Sequence, residues 1–245
     1  MNPTIDILKA HKSIRKFTAK PISFDILRTI VTAGQAAASS SFLQAVTIIQ
    51  VTDIDKRNHL AKVTGNQAQV TAAPEFLVFC ADLSRPTRSC EAHGGTPKKG
   101  FTEQFIIATV DAALYAQNVV IAAESLGLGI CYIGALRNNP EQTSELLCLP
   151  ENVYPVFGLC IGYPAEDPEV KPRLPISVIL KENVYDMSKE ANQIQAYDAS
   201  MKSYYSTRSD NQKLQTWSEQ MTNILKKDAR PHMRSFLAKQ GFEMK

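Results

Sequence analysis

Residues 103–126 constrain this chain more than any other stretch. They form an almost unbroken apolar run with alanines at 108, 112, 113, 116, 122 and 123, and they end at Gly127. Such a run, roughly six helical turns closed by a glycine, reads as one helix with a left-handed cap at its C-terminus. Within it, Thr109, Asp111, Gln117, Asn118 and Glu124 break the apolar pattern. That spacing of polar residues fits a protein interior better than a bilayer. A helix apolar on nearly all faces is buried all round. It is therefore either the central helix of a core or a helix with half its surface against another subunit.

The flanking sequence supplies a small sheet and more helices. Residues 46–52, 76–81 and 154–161 read as strands, and the segment Leu128 to Ala135 holds another, with Gly134-Ala135 just past its end. The runs 76–81 and 154–161 are nearly continuous in apolar residues, the pattern of strands covered on both faces. Thr4 is placed to cap a first helix ending near His11, and Ser23 to cap a second over 24–38. Shorter helices fit 55–64 and 141–147, and Gly65-Asn66-Gln67 is a turn leading to a short helix ending at Ala73. Residues 82–100 lack periodicity and read as a long loop, and 177–180 as an edge strand. From residue 189 the chain is polar and helical, over 189–206, 211–227 and 230–240. Strands and helices do not alternate regularly, and no linker separates two halves. The expected architecture is α+β: one domain over 1–245, with 189–245 as a helical extension that wraps another surface.

Composition excludes several classes. With 44% apolar and 21% charged residues the chain is an ordinary globular sequence, and a net charge of +3 is too small to argue for nucleic acid or a membrane as partner. Five widely spaced cysteines without a Cys-x-x-Cys pair suit free thiols in a reducing compartment. The first ten residues carry no apolar signal segment, so a cytoplasmic protein is expected.

Two short basic segments carry the functional chemistry. His11-Lys12-Ser13-Ile14-Arg15-Lys16-Phe17 packs three cations, an imidazole and a hydroxyl together, with Ile14 and Phe17 as apolar anchors and no acid among them. Lys171-Pro172-Arg173 holds two more cations between prolines that stiffen the backbone. Each alone reads equally well as a solvated basic turn. Together they look like two halves of one phosphate site, because a phosphate monoester carries close to two negative charges and needs several donors. The small and hydroxyl residues from Ala36 to Gln44 form a loop that a planar ligand can approach closely. No P-loop, Gly-x-Ser-x-Gly or His-Glu-x-x-His is present. Gly127-x-Gly129 follows a helix and precedes a strand, the reverse of a dinucleotide-binding turn. Cys90 and His93 lack the second pair that a metal site needs. Chemistry without a protein nucleophile, base or metal falls to a cofactor.

These segments, with Gly65-Asn66-Gln67, Ala123-Glu124-Ser125-Leu126-Gly127-Leu128-Gly129, Tyr132-Ile133-Gly134, Leu136-Arg137-Asn138, Lys171 to Pro175 and Thr216-Trp217-Ser218, run in order through nearly the whole chain. In them the sequence resembles the oxygen-insensitive NADPH nitroreductases, the flavin-reductase-like branch of the nitroreductase family. The resemblance implies a central, mostly antiparallel sheet surrounded by helices, an intertwined homodimer, and a tightly but non-covalently bound FMN. It implies that His11, Lys12, Ser13, Lys171 and Arg173 surround the phosphate and ribityl chain, and that Arg15 and Gln67 face the pyrimidine edge of the flavin. Tyr132, Ile133, Gly134 and Ala135 would supply backbone contacts along the ring. Ser39, Ser40 and Gln44 would come from the partner subunit, with Ser41 and Phe42 near the substrate. Arg208 and Lys213 would select NADPH through its 2′-phosphate, and Lys227 and Arg230 would line the substrate mouth. The activity implied is ping-pong, two-electron transfer from NADPH to nitroaromatics, quinones or free flavin, with no catalytic side chain and no metal. A flavin-binding sensor or carrier without turnover is the competing reading. The chain departs from the family pattern at Lys12, where arginine is common, at Ala135, where glycine is, and at Lys213, where some relatives have arginine.

Overall fold

The computed structural model describes residues 2–207 and 214–245. Two compact units emerge from it, residues 2–167 together with 230–245, and residues 168–229. The first unit holds the sheet. Its strands are β1 (Val46–Gln50), β2 (Glu75–Asp82), β3 (Gly129–Ile133) and β4 (Val153–Gly162), in the order β1-β2-β4-β3 and antiparallel throughout. Around them lie α1 (Pro3–Ala10), α2 (Phe24–Gln35), α3 (Ile54–Val63), α4 (Gln69–Ala72), α5 (Ser84–Ala92), α6 (Thr102–Ser125) and α7 (Pro140–Leu146). The second unit contains α8 (Ile176–Ile179), α9 (Glu190–Thr207) and α10 (Trp217–Leu225), and the chain returns to the first with α11 (Met233–Lys239).

The apolar runs of the central strands β2 and β4 divide their side chains between two cores, as the two-residue period of a strand requires. Leu77, Phe79, Leu159 and Ile161 pack with Ile30 of α2 and with Ala116, Val119, Val120 and Ala123 of α6. Phe76, Val78 and Cys160 face the other way, onto Leu60, Val70 and Leu136. Gly34 lets α2 close on α6, since an added Cβ would sit 2.2 Å from the Tyr115 ring, whose hydroxyl donates to the Val31 carbonyl at 2.8 Å. A third cluster joins Ala108 and Ala112 of α6 to Tyr154, Phe236, Leu237 and Phe242, which docks α11 and the C-terminus onto the sheet side. Buried Arg57 donates to the carbonyls of Val51, Ala73 and Pro74 at 2.6, 2.6 and 3.1 Å, closing the end of β1 against the start of β2. Burial lowers its guanidinium pKa, and nearby Glu75 opposes that shift.

Several local expectations need correction. Asn2, not Thr4, caps the first helix, its side chain accepting from the Thr4 N–H. Residues 84–92 form helix α5 inside the expected loop. Its first turn is held by Asp82, whose Oδ1 accepts from the backbone N–H of Ser84 and Arg85, so a cap replaces the missing apolar period. The expected edge strand at 177–180 is the short helix α8, started by Pro175. α6 is long and apolar enough to cross a membrane, but Asp111 and Ala108, Ala112, Ala116 and Ala123 bury one side of it in the core. It is not buried all round: Ile106, Val110 and Leu114, spaced by single turns, are exposed.

Candidate functional site

The basic heptad lies along the free edge of β3. Ser13 bridges Ile130 in parallel register, and the Ile14 N–H donates to the Ile130 carbonyl at 2.8 Å. Phe17 bridges Pro164, and Thr18 N–H donates to the Tyr163 carbonyl, so the segment continues onto the exit of β4. Ile14 is buried against Gly129, where an added Cβ would lie 2.6 Å from Ile14 Cγ1. This close approach sets the polar residues around Ile14 along the edge of the sheet. His11, Lys12 and Ser13 are half-buried, and Arg15 is exposed.

Although the heptad contains no acid, the fold brings three to it. Glu124, near the end of α6, lies 2.7 Å from His11 Nδ1. Lys12 pairs with Asp167. Glu166 accepts from the backbone N–H groups of both Arg15 and Lys16, at 2.5 and 3.0 Å. Two adjacent amides converge here on the chain's own Glu166, so the segment presents paired backbone donors of the kind that hold an anion. A cavity of about 210 Å³ opens beside it, with Ile7, Lys12, Ile14, Glu124, Glu166 and Asp167 in its wall. A donor set of imidazole, ammonium, guanidinium, hydroxyl and paired amides fits a phosphate-bearing cofactor.

Tyr132 follows on β3, and Ile133 leads into a 3₁₀ turn over Gly134–Asn138 that contains Ala135. Tyr132 packs edge-on against Phe157, and burial, helped by Glu124, pushes its phenol up to about 12. Gln67 is tied down from both sides: its Nε2 donates to the Thr64 carbonyl at 3.1 Å, and its Oε1 accepts from Gln69 at 2.8 Å. Cys131, opposite Cys160 in the ladder, lies beneath this region. Burial raises its thiol pKa, against the pull of Arg15 and Gln69. Arg230 adopts a left-handed φ of 51° and donates to Asn138 Oδ1 at 3.0 Å.

The hydroxyl loop meets the same long helix further toward its N-terminus, at Asp111. Buried Asp111 accepts from Ser39 Oγ at 2.5 Å, from the Ser40 N–H at 3.1 Å and from the Ala45 N–H at 3.0 Å. Asp111 and Glu124 stand thirteen residues apart on α6, about 20 Å along its axis. Ser41, Phe42 and Gln44 all take left-handed φ values, of 49°, 56° and 50°. Each such non-glycine conformation costs about 1–3 kcal/mol and persists only where the surroundings impose it. The turn thrusts Phe42 outward to 79% exposure, and a cavity of about 530 Å³ lies beside it, between Ser39, Gln44, Thr47, Arg85 and Tyr115.

Lys171 and Arg173 belong to the second unit. There the Tyr197 hydroxyl donates to the Pro172 carbonyl at 2.9 Å, and Lys171 Nζ stands 5.4 Å from the centre of the Tyr205 ring. The segment is thus held by α9, through a cluster of Leu174, Tyr197, Met201, Tyr205 and Trp217. Lys227 is an exposed residue of the same unit. Arg208 and Lys213 lie outside the described residues. Among the described residues no three metal-ligating side chains gather, and His93 Nδ1 instead meets the Ser89 carbonyl. Asp111, Glu124, Glu166 and Asp167 are the site residues that the sequence patterns did not single out. An acid inside an apolar helix is the one signal that marks Asp111, since burial demands partners for it.

An α+β unit with a four-stranded antiparallel sheet, one long core helix and an anion receptor on the sheet edge defines a cofactor-binding class of protein. The chain belongs to the nitroreductase family: the model of that family matches residues 8–163, and the model of its C-terminal domain matches residues 171–245. It is 49% identical to an NADPH-flavin oxidoreductase of Vibrio harveyi, with 98% of each chain covered. It is 43% identical to an oxygen-insensitive NADPH nitroreductase of Salmonella typhimurium, with 99% of each covered. Among solved structures it resembles the NADPH:FMN oxidoreductase of Vibrio harveyi complexed with NAD+, at 48% identity, 98% coverage of each chain and a TM-score of 0.90.

Proposed function

We propose that this chain is a cytoplasmic, homodimeric FMN enzyme that oxidises NADPH and delivers electrons in pairs to nitroaromatics, quinones or free flavin. The observation that carries the reading is the receptor on the edge of β3, where Ile14 anchors His11, Lys12, Ser13 and Arg15 and two adjacent amides already bind a carboxylate. The names of the full-length relatives, an NADPH-flavin oxidoreductase and an NADPH nitroreductase, support the choice of FMN and NADPH.

In this reading His11, Lys12, Ser13, Lys171 and Arg173 hold the phosphate and ribityl chain. Arg15 and the pinned amide of Gln67 would hold the pyrimidine edge, where a cation stabilises the negative charge that reduction brings. The backbone of Tyr132 to Ala135 would supply contacts along the ring. FMN, when bound, supplies the hydride-accepting and electron-pair-donating chemistry. The protein binds, orients and shields, and needs no side chain as acid, base or nucleophile. Arg208 and Lys213 select the 2′-phosphate of NADPH, and Lys227 and Arg230 border the entrance for the oxidant.

A homodimer would account for two features of the single chain. The stripe Ile106, Val110 and Leu114 is apolar and exposed, and so is Phe42. The hydroxyl loop and the basic receptor also meet α6 thirteen residues apart, at Asp111 and Glu124. Pairing two chains through the stripe gives Ser39, Ser40 and Gln44 of one a receptor in the other, with Ser41 and Phe42 toward the substrate. Residues 189–245 are read as the extension that embraces the partner.

Colour tests the reading. Purified protein should be yellow and should release one FMN per chain on heat denaturation, identified by mass. A colourless protein that takes up no added FMN contradicts it.

A further inference from the structure

We infer that Asp111 is the positioning residue of the flavin site, holding the loop from Ser39 to Ala45 in the shape that meets the cofactor. The inference rests on the proposed FMN function and assigns a residue that this function leaves unused. Asp111 is 3% exposed, and its three bonds all go to one short segment. They grip both ends of that segment, Ser39 and Ser40 at the start and Ala45 at the close. Ser39 extends the grip, because its hydroxyl donates to Asp111 Oδ2 and accepts from the Gln44 N–H at 2.7 Å. Between these points the backbone passes through left-handed φ at Ser41, Phe42 and Gln44, a path that side-chain-bearing residues leave unless their ends are fixed.

A carboxylate is acceptor-only, and all three groups facing Asp111 are donors. An asparagine has the same shape, but one of its two positions becomes a donor. If the amide nitrogen replaces Oδ2, the Ser39 hydroxyl and Ala45 amide both lose their acceptor. If it replaces Oδ1, the Ser40 amide does. No flip of the amide satisfies all three, so at least one of the bonds that hold the loop is lost. Asp82 is the natural control, a buried residue whose carboxylate accepts from Thr47, Ser84 and Arg85 and makes no bond to residues 39–45, while its backbone N–H, which donates to the Ala45 carbonyl at 2.9 Å, is kept in Asp82→Asn.

The test is the FMN dissociation constant of the holoenzyme, read from the fluorescence of flavin released on dilution, beside the melting temperature and amide exchange. Asp111→Asn should raise the constant at least tenfold and speed exchange at the Ser40 and Ala45 amides. Asp82→Asn should lower the melting temperature comparably and change FMN affinity less than threefold. If Asp111→Asn does not fold, Asp111→Ser, smaller and still an acceptor, should show the same direction with at least a fivefold weaker FMN. FMN affinity within twofold of wild type in the folded variant overturns the assignment, as does an equal loss in Asp82→Asn. A wild-type protein that binds no FMN contradicts the functional reading instead, and leaves amide exchange to report on the grip of Asp111 itself.

Discussion

Glu124 stands 2.7 Å from Nδ1 of His11, joining the last turns of the core helix to the first residue of the basic segment. A carboxylate only accepts, so the proton of this bond sits on Nδ1 and Nε2 is left for a ligand. Glu124→Ala should therefore leave the fold intact and loosen the imidazole, raising the FMN dissociation constant about three- to tenfold, the equivalent of one ordinary hydrogen bond. Unchanged FMN affinity in fluorescence titration would show that His11 does not need its partner.

Asp82 predicts a stability dependence on pH. Burial alone would raise its pKa, but hydrogen bonds from Thr47 and Ser84, the charge of Arg85 and the Arg85 amide bring it below the ordinary 3.8. A carboxylate with a depressed folded pKa stabilises the protein above its unfolded pKa, and that contribution fades as pH falls through the folded value. Asp82→Asn should cost about 1–3 kcal/mol at neutral pH. The gap from wild type should close below pH 3.8 in thermal melts. A gap constant down to low pH would show that Asp82 gains nothing from its charge.

The exposed stripe on α6 predicts the oligomeric state. Val110→Glu places a charge between Ile106 and Leu114 and should cost the association several kcal/mol, the effective penalty of burying an unpaired ion. Sedimentation should then find mainly monomer, with the FMN content reduced because the partner's loop is lost. A variant that stays dimeric would move the interface elsewhere.

Cofactor preference is assigned to Arg208. A guanidinium facing a phosphate contributes charge-assisted bonds that NADH cannot use. Arg208→Ala should raise the KM for NADPH by ten- to a hundredfold and leave that for NADH within threefold. Equal effects on both would refute the assignment.

Legibility followed the range of the interaction that decides each element. The core helix, the four strands and the Ser23 cap depend on local periodicity and nearest neighbours, and the sequence displays both. Helix α5 did not show, because its start is fixed by Asp82, which belongs to the strand before it. The basic segment was visible from its composition, but its charge balance was not. Glu166 and Asp167 reach it from about 150 positions away, a closure that no local pattern encodes. Asp111 was visible only as an interruption in an apolar run, since its meaning lies in three donors from a loop some seventy residues earlier.

The most direct test is anaerobic mixing of the yellow holoenzyme with NADPH in a stopped-flow spectrometer. The visible flavin absorption should bleach within the turnover time, and one equivalent of a quinone or nitroaromatic should restore part of it in a second, separate step. A flavin that stays yellow in the presence of NADPH would contradict the enzyme and leave a protein that only binds its cofactor.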